Sequence, residues 1–194
     1  MSTPNYHHGN LKNALVEAAL AQVSREGAAS LNLRALARSL GVTHPAVYRH
    51  FANKEALLEA VAQHGFETLA TTLEDAVAET SSEETLEALI TAYVGFAAAH
   101  PELSRVMFAL VSAQARADNE ELYAATKKAY AVLLSSIGET PGGEQVRGPV
   151  VWALVHGLAQ LTVEKQLDKL GDPEQRSVII KKAAEVIRKG LDLQ

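Results

Sequence analysis

In the run NLRALARSLGVTHPAVYRHFANK, residues 32–54, hydroxyls, imidazoles and cations gather just behind a glycine. Thr43, Tyr48 and His50 carry groups able to bond a phosphate oxygen. His44 and Arg49 have donors that could read purine edges, the arginine being best suited to guanine. Pro45 and Ala46 offer apolar contact, most naturally to a thymine methyl. Lys54 opposes the dipole of the helix it would open, a poor place for stability and a good one for a phosphate.

Such chemistry needs a scaffold that turns these side chains outward. Leu33, Leu36, Ala37 and Leu40 fall at helical spacing, and the face they form stops at Gly41, which tolerates the backbone angles of a sharp turn. After the turn, Val42, Ala46, Val47 and Phe51 can pack back on the first helix while Thr43, His44, Pro45, Tyr48, Arg49 and His50 stay on the outer side. Thr43 suits an N-cap, Pro45 a first helical turn, and Asn53 the cap of the next helix. Two alternatives stay open: Tyr48 as a packing residue, and Arg34 and Arg38 as solvated surface charges.

Upstream, Leu11, Leu15, Ala18, Ala19, Gln22 and Val23 trace another helical stripe with Gly27 as its stop, which completes a three-helix head. Residues 1–10 have no periodicity and read as a mobile arm. Its Tyr6, His7 and His8 could reach a phosphate or a minor groove, or form an untethered tail. Two adjacent histidines on such an arm lack the further ligands of a metal site.

The segment from about Leu11 to Glu67, with GVTHPAVYRHFANKEALLEAV at its centre, resembles the N-terminal DNA-binding domain of TetR-type transcriptional regulators. The Gly-Val-Thr turn, the Tyr-x-His-Phe end of the second helix and the Asn-Lys-Glu-x-Leu that follows occur together at that family's spacing. The resemblance implies that Tyr48 and His50 meet phosphates, that Arg34 reaches a base edge and that Asn32 meets a phosphate. It also implies a small-molecule effector and, most commonly, repression.

Composition agrees with a helical regulator. The 194 residues are 47% hydrophobic and 21% charged, enough for a core and unlike a disordered chain. There is no cysteine, which excludes disulfides, thiolate metal sites and a cysteine nucleophile. No apolar run reaches the length of a membrane span and MSTPNYHHGN has no apolar signal region, so a cytoplasmic protein is expected. The net charge of −5 is unevenly divided: residues 1–54 carry +4 and the remaining 140 carry −9. A basic head on an acidic body fits a protein that meets DNA with one end.

The fold class is all-α, with about nine helices: a helix-turn-helix domain over 1–53 and a helical effector-binding and dimerisation domain over 54–194. Leu57, Val61, Gly65, Leu69, Leu73 and Val77 recur every four residues and predict one helix from Lys54 to about Ala78, roughly 37 Å long. Ser81 with Glu84 makes a capping-box pattern before a helix that halts at His100-Pro101. A shorter helix follows through Val111, and Asp118 with Glu121 repeats the cap before a helix to Gly138. Thr140-Pro141-Gly142-Gly143 is a loop. The next helix is apolar on nearly every side from Val150 to Leu161, as if buried from two directions, and the last is announced by Asp172-Pro173. A homodimer built from these two helices would bury them and present two heads to a palindromic operator, and the family pairs the same two. The string Trp152-Ala-Leu-Val-His156-Gly157 further resembles the Trp-His-Gly class of C-terminal domains in a subset of these regulators.

Phe66, Tyr93, Phe96, Met107, Phe108, Tyr123, Trp152 and His156 could line a mostly apolar effector site, with Gln114, Gln160 and Glu164 as polar contacts. Taken alone, each reads more readily as core than as a ligand wall, and His156 more readily as a hydrogen-bonded structural histidine than as a metal ligand or base. The expected effector is small and apolar or amphipathic. No cofactor or metal is called for. Catalysis is not expected, because no nucleophile elbow, phosphate loop or His-Glu-x-x-His arrangement occurs, and His64 with Glu67 lacks a third ligand. The rival reading is an architectural or effector-free DNA-binding protein whose body only dimerises.

Overall fold

The computed structural model describes residues 11–78, 80–81, 84–110, 119–137, 144–167 and 173–191. Among these, nine α-helices and two short 3-10 turns form the regular structure: α1 Leu11–Glu26, α2 Leu33–Ser39, α3 His44–Tyr48, α4 Lys54–Ala78, α5 Thr85–Ala99, α6 Pro101–Leu110, α7 Glu120–Leu134, α8 Glu144–Val163 and α9 Pro173–Gly190. The 3-10 turns are Ala28–Ser30 and Ser135–Ile137. The all-helical class expected from the sequence is the one observed. No helix among the described residues is long and apolar enough to cross a membrane.

The chain forms two compact units, divided within α4: Met1–Gly65 with Glu102–Tyr123, and Phe66–Pro101 with Ala124–Gln194. The compact unit that contains the helix-turn-helix runs past residue 53 to Gly65 and also takes in α6.

In the first unit, α1 buries Leu11, Ala14, Leu15, Ala19 and Val23. It stops where the Gly27 N–H bonds the Val23 carbonyl at 2.8 Å and the backbone turns to φ +78°. A side chain at Gly27 would be strained by that angle and would also meet the Glu102 carboxylate at 3.0 Å. Asn32 Oδ1 caps α2 by accepting from the Arg34 and Ala35 amides at 2.9 and 3.2 Å. Leu33, Leu36 and Ala37 form its buried face, and Gly41 at φ +67° makes the turn. Asn53 Oδ1 accepts from the Ala56 amide at 2.8 Å and starts α4, whose observed span is the 25 residues its periodicity predicts. Asp118 lies outside the described residues. The start of α7 is capped instead by Asn119, whose Oδ1 accepts from the Leu122 amide at 3.0 Å while its side-chain amide donates to Glu59 at 2.9 Å.

In the second unit, α5 packs against α8 and α9. Leu86, Leu89, Ile90, Tyr93, Val94 and Ala97 form the buried face of α5, and Val151, Val155, Ala159, Ile180, Ala184 and Ile187 are also buried. Ser81 does not make the expected capping box: its hydroxyl bonds the Glu84 carboxylate at 2.8 Å, and α5 begins only at Thr85, whose N–H bonds the Ser81 carbonyl. The two side chains satisfy each other rather than the helix's first amides. Burial of α8 from two directions is likewise not found within one subunit. Val146, Val150, Leu154 and Leu161 on α8, with Val178 and Val186 on α9, remain 39–66% exposed.

Candidate nucleic-acid interface

The head separates an apolar docking side from a polar outer side, and local sequence explains the separation. Val47 and Phe51 are buried, and so is Ala46, at 6% exposure. On the other side of the five-residue helix, Pro45 and Tyr48 are left outside, with Thr43 and Arg49 at its two caps. Tyr48 is 45% exposed, so its ring is not part of the head's buried core. Ala46, expected to touch a thymine methyl, is turned into the head. It lies one residue from Val47 on the docking side, so its methyl is part of the core.

Thr43 occupies the N-cap position of α3 with extended backbone, yet its hydroxyl makes no capping bond, contrary to its expected capping role. His44 packs edge-on to Tyr48, centroids 4.7 Å apart and planes at 76°, one helical turn along. Its Nε2 is buried without a hydrogen-bond partner in the described residues. His50 is half-buried in the turn after α3, where its N–H bonds the Val47 carbonyl at 3.0 Å. Asn32 and Arg34 are exposed at the start of α2. Because Asn32 Oδ1 is committed to the cap, its side-chain amide N–H groups are what it has left to offer a phosphate.

Lys54 is half-buried and its ammonium donates to the Ala29 carbonyl at 3.0 Å, tying the start of α4 to the 3-10 turn. Sequence reasoning missed this bond, since its partner lies 25 positions away. An ammonium has three donors, so the bond leaves two for a phosphate. Lys54→Ala should therefore weaken binding to all duplexes alike and lower the salt slope by about one. A titration of affinity against salt checks this, and an unaltered slope would mean the lysine only braces the turn.

The residues named for an effector site are only partly brought together. In the second unit, Tyr93, Trp152, His156 and Gln160 form one group, which Tyr130 of α7 joins through Trp152. Tyr130 was missed because nothing in its spacing sets it apart from the rest of α7. Phe66 is fully buried, and Phe96 is buried with its ring 5.0 Å from His100. Met107 and Phe108 belong to α6 in the first unit, with Met107 fully buried. Tyr123 is 40% exposed, one position round the helix from the buried Leu122, and so is not part of an enclosed wall. Glu164 is exposed just past α8, and Gln114 lies outside the described residues. Burial pushes the Tyr93 and Tyr130 hydroxyls up and the His156 imidazole down, so all three favour their neutral forms. Among the described residues no group of three His, Asp or Glu side chains could hold a metal ion.

Comparison with known proteins bears on both parts of the chain. Residues 15–61 match the model of bacterial regulatory proteins of the tetR family, and residues 86–179 match that of the tetracyclin repressor-like C-terminal domain. An HTH-type transcriptional regulator of Mycobacterium tuberculosis is 30% identical over 164 residues, which cover 82% of this chain and 73% of that one. The class A tetracycline repressor from transposon 1721 of Escherichia coli is 47% identical over 51 residues, 26% of this chain and 24% of that one. The solved structure of a protein of unknown function from Rhodococcus sp. RHA1 superposes with a TM-score of 0.82 at 32% identity, covering 99% of this chain and 100% of that one. Buried docking side, exposed polar side and both matched models agree: this chain belongs to the tetR family of DNA-binding transcriptional regulators.

Proposed function

We propose that the protein is a dimeric repressor that binds a roughly palindromic operator and releases it on binding a small molecule. The observation that carries the reading is the outward presentation of Thr43, Pro45, Tyr48 and Arg49 by a helix whose other side is core. In this reading Arg49 and His44 read base edges with Arg34, while Thr43, Tyr48, His50, Asn32 and Lys54 hold phosphates and Pro45 lies against a thymine methyl. The exposed apolar stripe of α8 and α9 is the self-complementary face of a two-fold dimer, which sets the two heads to meet successive major grooves. In this reading the second domain is of the Trp-His-Gly class, which the stacked Trp152 and His156 support, and the group around them is the effector site.

Selection of bound fragments from random duplex DNA tests the reading, with Arg49→Ala in parallel. The parent chain should enrich a palindrome. Arg49→Ala should lose about 1–3 kcal/mol of discrimination at one symmetric base pair while keeping its non-specific affinity. Unchanged discrimination between operator and scrambled DNA would remove Arg49 from base reading. Saturable binding with no sequence preference would mark an architectural protein instead.

A further inference from the structure

Among the described residues, Ser104 Oγ and His44 Nε2 are buried side-chain atoms without a hydrogen-bond partner. Ser104 stands on the buried face of α6, whereas His44 opens the short helix whose outer side is polar. A polar atom buried unpaired destabilises a fold, so a native structure that keeps one at the edge of a binding surface calls for an explanation. The imidazole as a whole is only half-buried. Its other nitrogen, Nδ1, is neither bonded within the described residues nor closed off as Nε2 is. The ring therefore stands with one nitrogen turned in and the other left to meet something outside.

Tyr48 accounts for that pose. It follows His44 by four residues, and a long side chain on a helix leans toward the N-terminus and covers the turn before its own. The tyrosine ring meets the imidazole edge-on, centroids 4.7 Å apart, an arrangement aromatic pairs favour. With 45% of the residue exposed, this ring does not fill a core; its contact with His44 is made at the surface, where it governs which way the imidazole points. The Tyr48 hydroxyl has no hydrogen-bond partner among the described residues, so holding His44 leaves it available to a phosphate.

The pose limits what His44 can read. With Nε2 turned in, one nitrogen remains for a base edge, and it either donates or accepts. A donor finds N7 on both purines, and an acceptor finds an exocyclic amine on adenine and on cytosine. One bond of either kind therefore narrows the choice of base without fixing it.

We propose that Tyr48 is a positioning residue whose ring holds His44 so that the imidazole reads a base edge through Nδ1 alone, at an operator position that tolerates more than one base. This rests on the reading of the head as sequence-specific, and it gives the Tyr48 ring a task separate from its hydroxyl's contact with phosphate.

The full chain and its variants are put through selection from a random duplex pool, and affinities are then measured on the selected palindrome and on copies altered one symmetric base pair at a time. His44→Ala identifies the position that His44 reads, where a disfavoured base pair should cost the parent chain about tenfold and the variant nothing. Asparagine sets its polar atoms near the place of Nδ1, while glutamine reaches on to the place of Nε2. His44→Asn should therefore keep most of that tenfold discrimination and His44→Gln should lose it. Tyr48→Phe should weaken all duplexes alike by about tenfold and leave the discrimination intact, because the ring remains. Tyr48→Ala should lose both. Discrimination that follows glutamine rather than asparagine at 44, or that survives Tyr48→Ala, overturns the proposal. The comparison at 44 decides even if Tyr48→Ala fails to fold. Enrichment of a palindrome whose preferences are untouched by His44→Ala sinks this proposal alone, whereas a parent chain that enriches no sequence sinks the regulator reading and this proposal with it.

Discussion

Replacing Val150 and Leu154 together by aspartate should leave a folded monomer that no longer occupies a palindromic operator at concentrations where the parent chain saturates it. These residues are 41% and 44% exposed and one helical turn apart on α8. Within the subunit the change removes little packing, so thermal unfolding followed by circular dichroism at low protein concentration should keep its helical amplitude. In a two-fold pair each substituted patch faces its own copy, which sets four carboxylates against one another in place of apolar contact. Two heads held together gain roughly 100-fold to 10,000-fold over one, and that factor is what the operator titration should lose. Sedimentation reads the oligomeric state directly. A substituted chain that still sediments as a dimer would show that this stripe is not the face through which copies pair.

The features legible in the sequence are those with a local cause. Gly41 adopts φ +67° because the chain must reverse between two helices, and the glycine stands where the apolar spacing stops. Asn53 caps α4 through an amide three residues on, and the 25-residue span of α4 follows from one uninterrupted apolar period. At the start of α7 two adjacent residues are both good caps by type, and Asn119 is distinguished by its second bond, to Glu59 sixty positions away.

What the sequence concealed is mostly partnership at a distance. Periodicity says that a face is buried but not by what. Ala46 fits both sides of a short helix by composition, and only its neighbours inside the head decide that it faces in. Lys54 is a free cation on paper and a brace to Ala29 in three dimensions. Tyr123 has the composition of a pocket wall and stands on the outside of α7. On α8 the sequence shows apolar residues on nearly every side, yet its buried, half-buried and exposed lines separate only when α5 is laid against one of its faces. The outward-facing residues of α3 were easier, because their surroundings are set within about twenty positions of chain.

Gly65→Val offers the sharpest test of packing in the first unit. Gly65 is helical, so backbone freedom does not explain it; space does. A Cβ there would stand 2.6 Å from Met107 Sδ, 2.8 Å from Met107 Cγ and 3.2 Å from Leu103 Cδ1, all on α6. Met107 is fully buried and Leu103 nearly so, which leaves neither side chain open space to retreat into. Overpacking of this kind costs about 1–3 kcal/mol, or roughly 2–12 °C in melting temperature for a chain of this size. Met107→Ala alone should cost about 2–5 kcal/mol through the cavity it leaves. If the clash is the cause, valine at 65 fills part of the space vacated at 107, and the double substitution should melt well above the sum of the two single losses, with a coupling of about 1 kcal/mol or more. Strict additivity would mean that Gly65 and Met107 do not share the same space, and that the approach of α4 to α6 is set elsewhere.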